Sequence, residues 1–303
     1  MREWEPELVV GPALAEKLIR TQFPQFDFDS LRLLAEGWDN AVYLVDETWA
    51  FRFPQRSVAV PGLLREIAVL PELAPQLPLP IPIPTFVGAP SDEYGWPFFG
   101  ARLLPGREVA DASLTDAELR NLARPLGEFL HVLHAPQLLD EFRAQLPADP
   151  NRRSDMSFRA PWARTRLGEV EEAGIWTAPP RVRSWLEDAG LLPTPAPSVV
   201  VHGDLHIRHV LIDDGGRIGG IIDWGDLAVS DPSVDLSLGW AFFPPEAREE
   251  FLLAYGEVGA ETRLRARVLA LFLCAALATY AFQKGWAGLG RAAVRGLEAA
   301  ALP

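Results

Sequence analysis

Short apolar runs bounded by turn residues mark the first third of the chain, and longer helical stripes mark most of the rest. Ala13 to Arg20 reads as a first helix. Leu31 to Ala35, Val42 to Val45 and Trp49 to Phe53 read as three strands, with Gly37-Trp38-Asp39-Asn40 turning between the first two. On the third strand, Phe51 and Phe53 point to the opposite face from Arg52. Leu63 to Leu70 is helical, with Pro61 near its start, where helices tolerate proline. The proline-dense run 71–84 reads as a stiff extended connector, because proline removes backbone donors. Thr85 to Gly88 and Pro97 to Leu104 follow as strands. Thr115 to His134 is a helix that opens on a Thr115–Glu118 capping box. Its stripe is Leu126, Phe129, Leu130 and Leu133, and Pro125 should kink or interrupt it. Between 135 and 197 no chemical motif occurs, only charged helical segments such as Phe158 to Glu172 and Val182 to Ala189. A helix beginning at Asp231 to Leu236, and others over 245–256, 262–286 and 290–301, complete the chain.

The stretch Val199 to Trp224, VVVHGDLHIRHVLIDDGGRIGGIIDW, is where the polar residues carry information. Val199 to Val201 delivers His202-Gly203-Asp204 onto a polar turn, and Val210 to Ile212 leaves it. Asp213-Asp214-Gly215-Gly216 is a reversal signal, and Ile218 to Ile222 returns as a strand with Asp223 just past its end. Two carboxylates, Asp204 and Asp223, are thereby held on a loop and a strand end. Phosphoryl transfer needs such a pair. One carboxylate orients the attacking hydroxyl and accepts its proton, and the other holds the Mg²⁺ that bridges the nucleotide phosphates.

Here HGD is followed five residues after Asp204 by His209, and later by IDW. This resembles the aminoglycoside phosphotransferase family, whose pattern is HGD-x₄-N followed by IDW. The family usually has Asn where this chain has His209. His at that place, and the run HVLIDD, are similar to the macrolide phosphotransferase branch. Imidazole can ligate a metal, although Mg²⁺ prefers oxygen.

The resemblance implies an α+β, bilobal, protein-kinase-like fold. Residues 1–104 would be a small nucleotide-binding lobe with an antiparallel sheet and a helix, ending in a hinge. Residues 105–303 would be a larger, mainly helical catalytic lobe, with a helical insertion around 135–197 walling the acceptor site. It implies Asp204 as the catalytic base, Asp223 and His209 as metal ligands, and ATP or GTP with Mg²⁺ as cofactors. The third strand should carry the cation for the α- and β-phosphates. Lys17 and Lys284, the two lysines, lie elsewhere, so Arg52 is that cation and Glu66 its expected partner. Gly37 and Asn40 frame a turn whose backbone amides could cover phosphates. The purine hinge falls near Ala101 to Leu103. His134, His202 and Asp235 read as structural, and His206, two residues past Asp204, could touch phosphate or metal. Arg208 reads as facing solvent.

Composition adds boundaries to this picture. Hydrophobic residues at 49% and charged ones at 23% supply a globular core. The formal charge of −13 argues against nucleic acid and favours a cationic small-molecule acceptor. Macrolides and aminoglycosides both qualify. Glu169, Glu171, Glu172, Glu187 and Asp188 could meet such a cation. The longest apolar stretch, Val268 to Phe282, is too short to span a bilayer and reads as a buried helix, with the single cysteine, Cys274, packed inside it. No signal peptide is legible before Glu3-Trp4-Glu5-Pro6, so a cytoplasmic protein, monomer or dimer, with no membrane partner is expected. Three other readings stay open. One is a kinase of a metabolite such as choline, homoserine or a sugar. Another is a metallohydrolase using His202, Asp204, His206, His209 and Asp223. The last is a nucleotide-binding module without activity.

Overall fold

The computed structural model describes residues 6–37, 39–109 and 114–303. Glu3 to Glu5, on which the leader expectation rests, and Trp38 of the first turn lie outside the described residues. The chain divides into two compact units, Met1–Gln76 with Pro80–Leu104, and Leu77–Leu79 with Pro105–Pro303.

The first unit opens with α1 (Pro12–Gln22). Five strands follow: β1 (Leu31–Glu36), β2 (Asn40–Val45), β3 (Trp49–Pro54), β4 (Phe86–Gly88) and β5 (Phe98–Arg102), with α2 (Val60–Leu73) after β3. They form one antiparallel sheet in the order β1-β2-β3-β5-β4. Alternation along β3 sets its two faces. Phe51 and Phe53 are fully buried in a core with Tyr43, Tyr94 and Phe98, and Arg52 turns the other way. On that other face Leu63 of α2 packs with Phe99 and Ala101 of β5.

The proline-dense run departs from expectation. Pro71 lies inside α2, and a 3-10 turn carries the helix on over Ala74–Gln76. The buried stripe of Glu66, Val69, Leu70 and Leu73 runs past the proline, and its burial outweighs one lost backbone bond. Only the part after Gln76 is extended or irregular connector.

The second unit begins with β6 (Arg107–Glu108), α3 (Asp116–Leu133), α4 (Pro136–Phe142), α5 (Met156–Glu172) and α6 (Pro180–Gly190). Thr115 caps α3 with both halves of the capping box made. Pro125 does not interrupt α3, because buried Leu119, Leu122, Leu126, Phe129 and Leu133 hold both sides of it in one stripe. Next come β7 (Val199–Val201), β8 (Val210–Ile212), β9 (Ile218–Ile221) and β10 (Ala228–Ser230). β7 pairs with β10, and β8 lies between β6 and β9, all antiparallel. Four helices finish the chain: α7 (Ser233–Phe242), α8 (Pro245–Tyr255), α9 (Ala260–Lys284) and α10 (Ala287–Ala301).

By length and composition α9 could cross a membrane, the test that a buried core helix also passes. It packs against α5, α7 and α10, and Val268, Leu269, Leu271, Cys274 and Ala278 are buried. Phe282, at its far end, is exposed, so burial stops short of the full apolar stretch.

Candidate active site

The loop after β7 is pinned from below. Asp235, in the first turn of α7 and fully buried, accepts the backbone N–H of His202 at 2.7 Å and that of Gly203 at 3.0 Å. Behind it His134 Nε2 lies 3.3 Å from the same carboxylate, and His134 Nδ1 lies 3.0 Å from the Tyr255 hydroxyl. His202 spans the loop through its ring. Its Nδ1 accepts the Asp204 N–H at 3.2 Å, which leaves Nε2 to donate to the Ile222 carbonyl at 2.9 Å. Burial keeps that ring neutral. Its centroid lies 4.6 Å from that of Trp224, whose Nε1 donates to the Ile221 carbonyl.

Asp204, His206, His209 and Asp223 are linked to one another through their side chains. Asp204 is partly exposed, with His206 Nε2 3.5 Å and His209 Nδ1 3.8 Å from its Oδ2. His209 Nδ1 donates to the Asp204 carbonyl at 2.7 Å, and its Nε2 stands 3.3 Å from Asp223 Oδ2. The His206 and His209 rings stack at 3.9 Å. His206 Nδ1 accepts the Arg208 N–H, so its N–H faces Asp204. Burial alone would raise the Asp204 carboxyl, but His206, His209 and Arg153 together hold it below its ordinary range. Burial opposes the charge of His209, yet Asp223 and Asp204 overcome that and push it up to about 9. His206, beside that cation and buried, goes down.

Backbone geometry shows how tightly the loop is made. Gly203 has φ 91°, and a Cβ there would stand 2.2 Å from the Asp226 carbonyl oxygen. Asp223 has φ 66°, a left-handed conformation that Asp tolerates better than most residues.

The implied metal can be tested against these donors. Asp204 and Asp223 supply the carboxylate oxygens that Mg²⁺ prefers. His209, held protonated here, must lose its Nε2 proton before it can ligate, while its Nδ1 proton stays on the Asp204 carbonyl. The set therefore fits Mg²⁺ through its oxygens, and the nitrogens favour softer divalent ions. Among the described residues one grouping could hold a metal by mutual distance: Asp204, His206 and His209, with ligand atoms within 4.8 Å of one another. Neither His202 nor Asp223, the expected metal ligand, belongs to that grouping.

Arg52 and Glu66 come together within the first unit. Arg52 Nη1 lies 2.9 Å from Glu66 Oε1, and the Glu66 side chain is only 1% exposed. On its helix Glu66 would read as a solvated charge, but the fold buries it under β3. The Gly37 N–H donates to the Asn40 carbonyl at 2.9 Å, closing the turn, and the buried Asn40 Oδ1 is unpartnered among the described residues. Ala101 pairs with Ala50 in the sheet, and the Leu103 N–H donates to the Thr48 carbonyl at 2.8 Å.

One expectation about charge is corrected. Arg208 does not simply face solvent: it forks onto Glu108 at 2.9 and 3.2 Å. Of the acidic residues around α5 and α6, Glu169, Glu171 and Glu187 each lie within 4 Å of an arginine.

Beside Asp204 opens a cavity of about 450 Å³ in the second unit. It is lined by Asp204, Arg152, Arg153 and Arg159, with Phe158, Trp162, Leu269 and Phe272 as apolar wall. These arginines lie in a stretch without a motif, and sequence reasoning missed them. A signal was present for Arg159. It shares the 3.6-residue stripe of Met156, Ala160, Ala163 and Leu167, so the helix carries it inward.

Comparison with known proteins adds four findings. The profile of the Phosphotransferase enzyme family (APH) matches residues 30–270. In sequence the chain is similar to the "Uncharacterized protein YcbJ" of Bacillus subtilis (strain 168), 27% identical over 252 residues, 80% of this chain and 80% of that one. In structure it is similar to the GDP and kanamycin complex of APH(2")-IIia, with a TM-score of 0.66 and 25% identity over 94% of this chain and 97% of that one. It is also similar to the macrolide 2'-phosphotransferase MphH from Brachybacterium faecium, with a TM-score of 0.59 and 25% identity over 94% and 98% of the two chains.

Proposed function

Because the chain belongs to the phosphotransferase enzyme family, we propose that it moves the γ-phosphate of ATP or GTP onto a hydroxyl of a small, antibiotic-like molecule. Its fold is the α+β, protein-kinase-like one of these relatives, with an antiparallel sheet in the small unit and a mainly helical large unit. It is an ATP- or GTP-dependent enzyme with an alcohol group as acceptor. The observation that carries the reading is the convergence of Asp204, His209 and Asp223 on one side of a pinned loop.

In this reading Asp204 orients the acceptor hydroxyl and takes its proton. Its depressed carboxyl stays ionised, and the neighbouring His206 N–H steadies that charge. Asp223 and His209 would hold Mg²⁺, which when bound neutralises charge on the nucleotide phosphates. Arg52, aimed by Glu66, pairs with the α- and β-phosphates. The Gly37–Asn40 turn covers the phosphates with backbone amides. The stretch Ala101 to Leu103 contacts the purine. The Leu103 amide is committed to Thr48, which leaves its carbonyl for that contact. Rate enhancement then comes from placement and charge neutralisation rather than covalent chemistry. A cytoplasmic setting belongs to the same reading, since the nucleotide is drawn from there.

The relatives include one protein bound to kanamycin and another that is a macrolide phosphotransferase, which supports an antibiotic-like acceptor. For the cationic acceptor expected from net charge, the cavity lining offers one carboxylate among the described residues, Asp204. A thermal-shift panel of ATP, GTP, aminoglycosides, macrolides and hydroxyl-bearing metabolites, followed by product mass, tests the reading. The expected outcome is a nucleotide shift and one acceptor that gains a phosphoryl group. Tightly bound zinc with hydrolysis and no transfer would point instead to a metallohydrolase. Nucleotide binding with no transfer to any acceptor would point to an inactive module.

A further inference from the structure

Asp235 holds the reactive loop by two backbone bonds, so whatever fixes the Asp235 carboxylate also fixes Asp204, the next residue along. That carboxylate takes donors from two directions. In front are the His202 and Gly203 amides, and behind is His134 Nε2 at 3.3 Å. A carboxylate has only lone pairs to offer, so the His134 ring carries its proton on Nε2. Nδ1 is then the acceptor side of the ring, and the Tyr255 hydroxyl stands 3.0 Å from it. Among the described residues that hydroxyl has no other hydrogen-bond partner. Burial, with Asp235 and Asp231 near it, pushes the Tyr255 hydroxyl above its ordinary range, so it keeps the proton that it donates. The His134 side chain is 2% exposed and that of Asp235 is fully buried, so neither bond is freely exchanged for one to water. Tyr255 is itself gripped. It closes α8, and His131, three residues before His134, donates from Nδ1 to the Tyr255 carbonyl at 2.8 Å. Two histidines at one end of α3 thus hold a single tyrosine by its carbonyl and by its hydroxyl.

Resting on the phosphotransferase reading, we propose that Tyr255 is a positioning residue for Asp204, acting through the His134 ring and the Asp235 carboxylate. The hydroxyl selects the ring form that presents Nε2–H to Asp235. Without it Nδ1 is free to take the proton, and Nε2 then turns a lone pair on the carboxylate. Asp235 moves off, the His202 and Gly203 amides lose their acceptor, and Asp204 leaves the place where it meets a hydroxyl. A small misplacement of that kind lowers the rate without touching the reacting groups. Tyr255 leaves the chemistry to Asp204 and sets only where it stands.

The test uses Tyr255→Phe, which removes the hydroxyl and keeps the ring, beside His134→Gln and His134→Leu. Proton–nitrogen correlation spectra of the full chain should show the His134 ring protonated at Nε2 and bare at Nδ1, its signals assigned by their loss in His134→Gln. In Tyr255→Phe, amide exchange at His202 and Gly203 should quicken by about 5-fold or more, the scale of one lost hydrogen bond. Amides within α3 and α8 should keep their rates, which a general loosening of the two helices would not allow. Release of γ-phosphate from GTP or ATP to water, with Mg²⁺, should fall by a similar factor in kcat while the nucleotide KM stays put. These losses should vanish when Tyr255→Phe is placed on His134→Leu, where the path is already cut. His134→Gln, whose amide carries a donor and an acceptor, should keep part of the wild-type rate. A ring protonated at Nδ1, unchanged exchange at the two amides, or a Tyr255→Phe loss that adds in full to that of His134→Leu overturns the proposal. Should Tyr255→Phe fail to fold, the wild-type spectrum and the two His134 variants still decide. Spectra and exchange need no turnover, so the claims separate. A protein with the expected exchange pattern that never moves a phosphate refutes the phosphotransferase reading alone. One that turns over while His202 and Gly203 exchange as in the wild type refutes only the role of Tyr255.

Discussion

Gly203 shows how little freedom the reactive loop has. Its φ of 91° and the 2.2 Å that would separate a Cβ from the Asp226 carbonyl both exclude side chains. Gly203→Ala should therefore cost about 1–3 kcal/mol of stability and displace Asp204, the next residue. Thermal unfolding together with turnover checks this, and a variant with wild-type values in both would remove the glycine from the argument. Asp223 holds a left-handed backbone of its own, φ 66°. The motif residues Asp204, His209 and Asp223 were legible in the sequence because their spacing is local and each lies beside a strand end. The arginine at 159 was not. It shares the buried stripe of its helix with Met156, Ala160 and Ala163, but a charged residue there reads as solvated until the fold buries it.

At the scale of elements, the Arg52–Glu66 pair ties β3 to α2. The strand's two-residue period alone put Arg52 on the face opposite Phe51 and Phe53. The burial of Glu66 was invisible, since a helix charge with no known neighbour reads as solvated. Removing one partner of a buried pair leaves an uncompensated charge. Glu66→Ala should lower stability by on the order of 3 kcal/mol, and on the proposed role it should also weaken nucleotide affinity. Chemical denaturation and nucleotide titration read the two effects, and unchanged affinity would drop the pairing from the nucleotide site. Prolines did not end a helix at either of two places. Pro71 and Pro125 both sit inside helices whose buried stripes continue on either side. Local breaker signals are outvoted where apolar burial extends across them. The two-residue β6 and three-residue β10 escaped notice because partners distant in sequence define them, Leu211 and Ile212 in one case and Val199 to Val201 in the other.

At the scale of the whole molecule, α9 is the spine of the second unit, packed by α5, α7 and α10. Cys274 at its centre is 1% exposed, and burial pushes its thiol up to about 12. Its folded value lies above the ordinary one, so the thiolate is scarce in the native protein at neutral and mildly alkaline pH. Alkylation by iodoacetamide at pH 8 should be negligible until the chain unfolds, and mass spectrometry across a denaturant series would follow it. Rapid labelling of the native protein would contradict that packing. The central claim is that one carboxylate on the pinned loop performs the transfer. The most direct measurement is steady-state phosphate transfer by Asp204→Ala beside nucleotide binding by the same protein. The account predicts turnover reduced by on the order of 10²–10⁴ with nucleotide affinity kept. Wild-type turnover in that variant would contradict it.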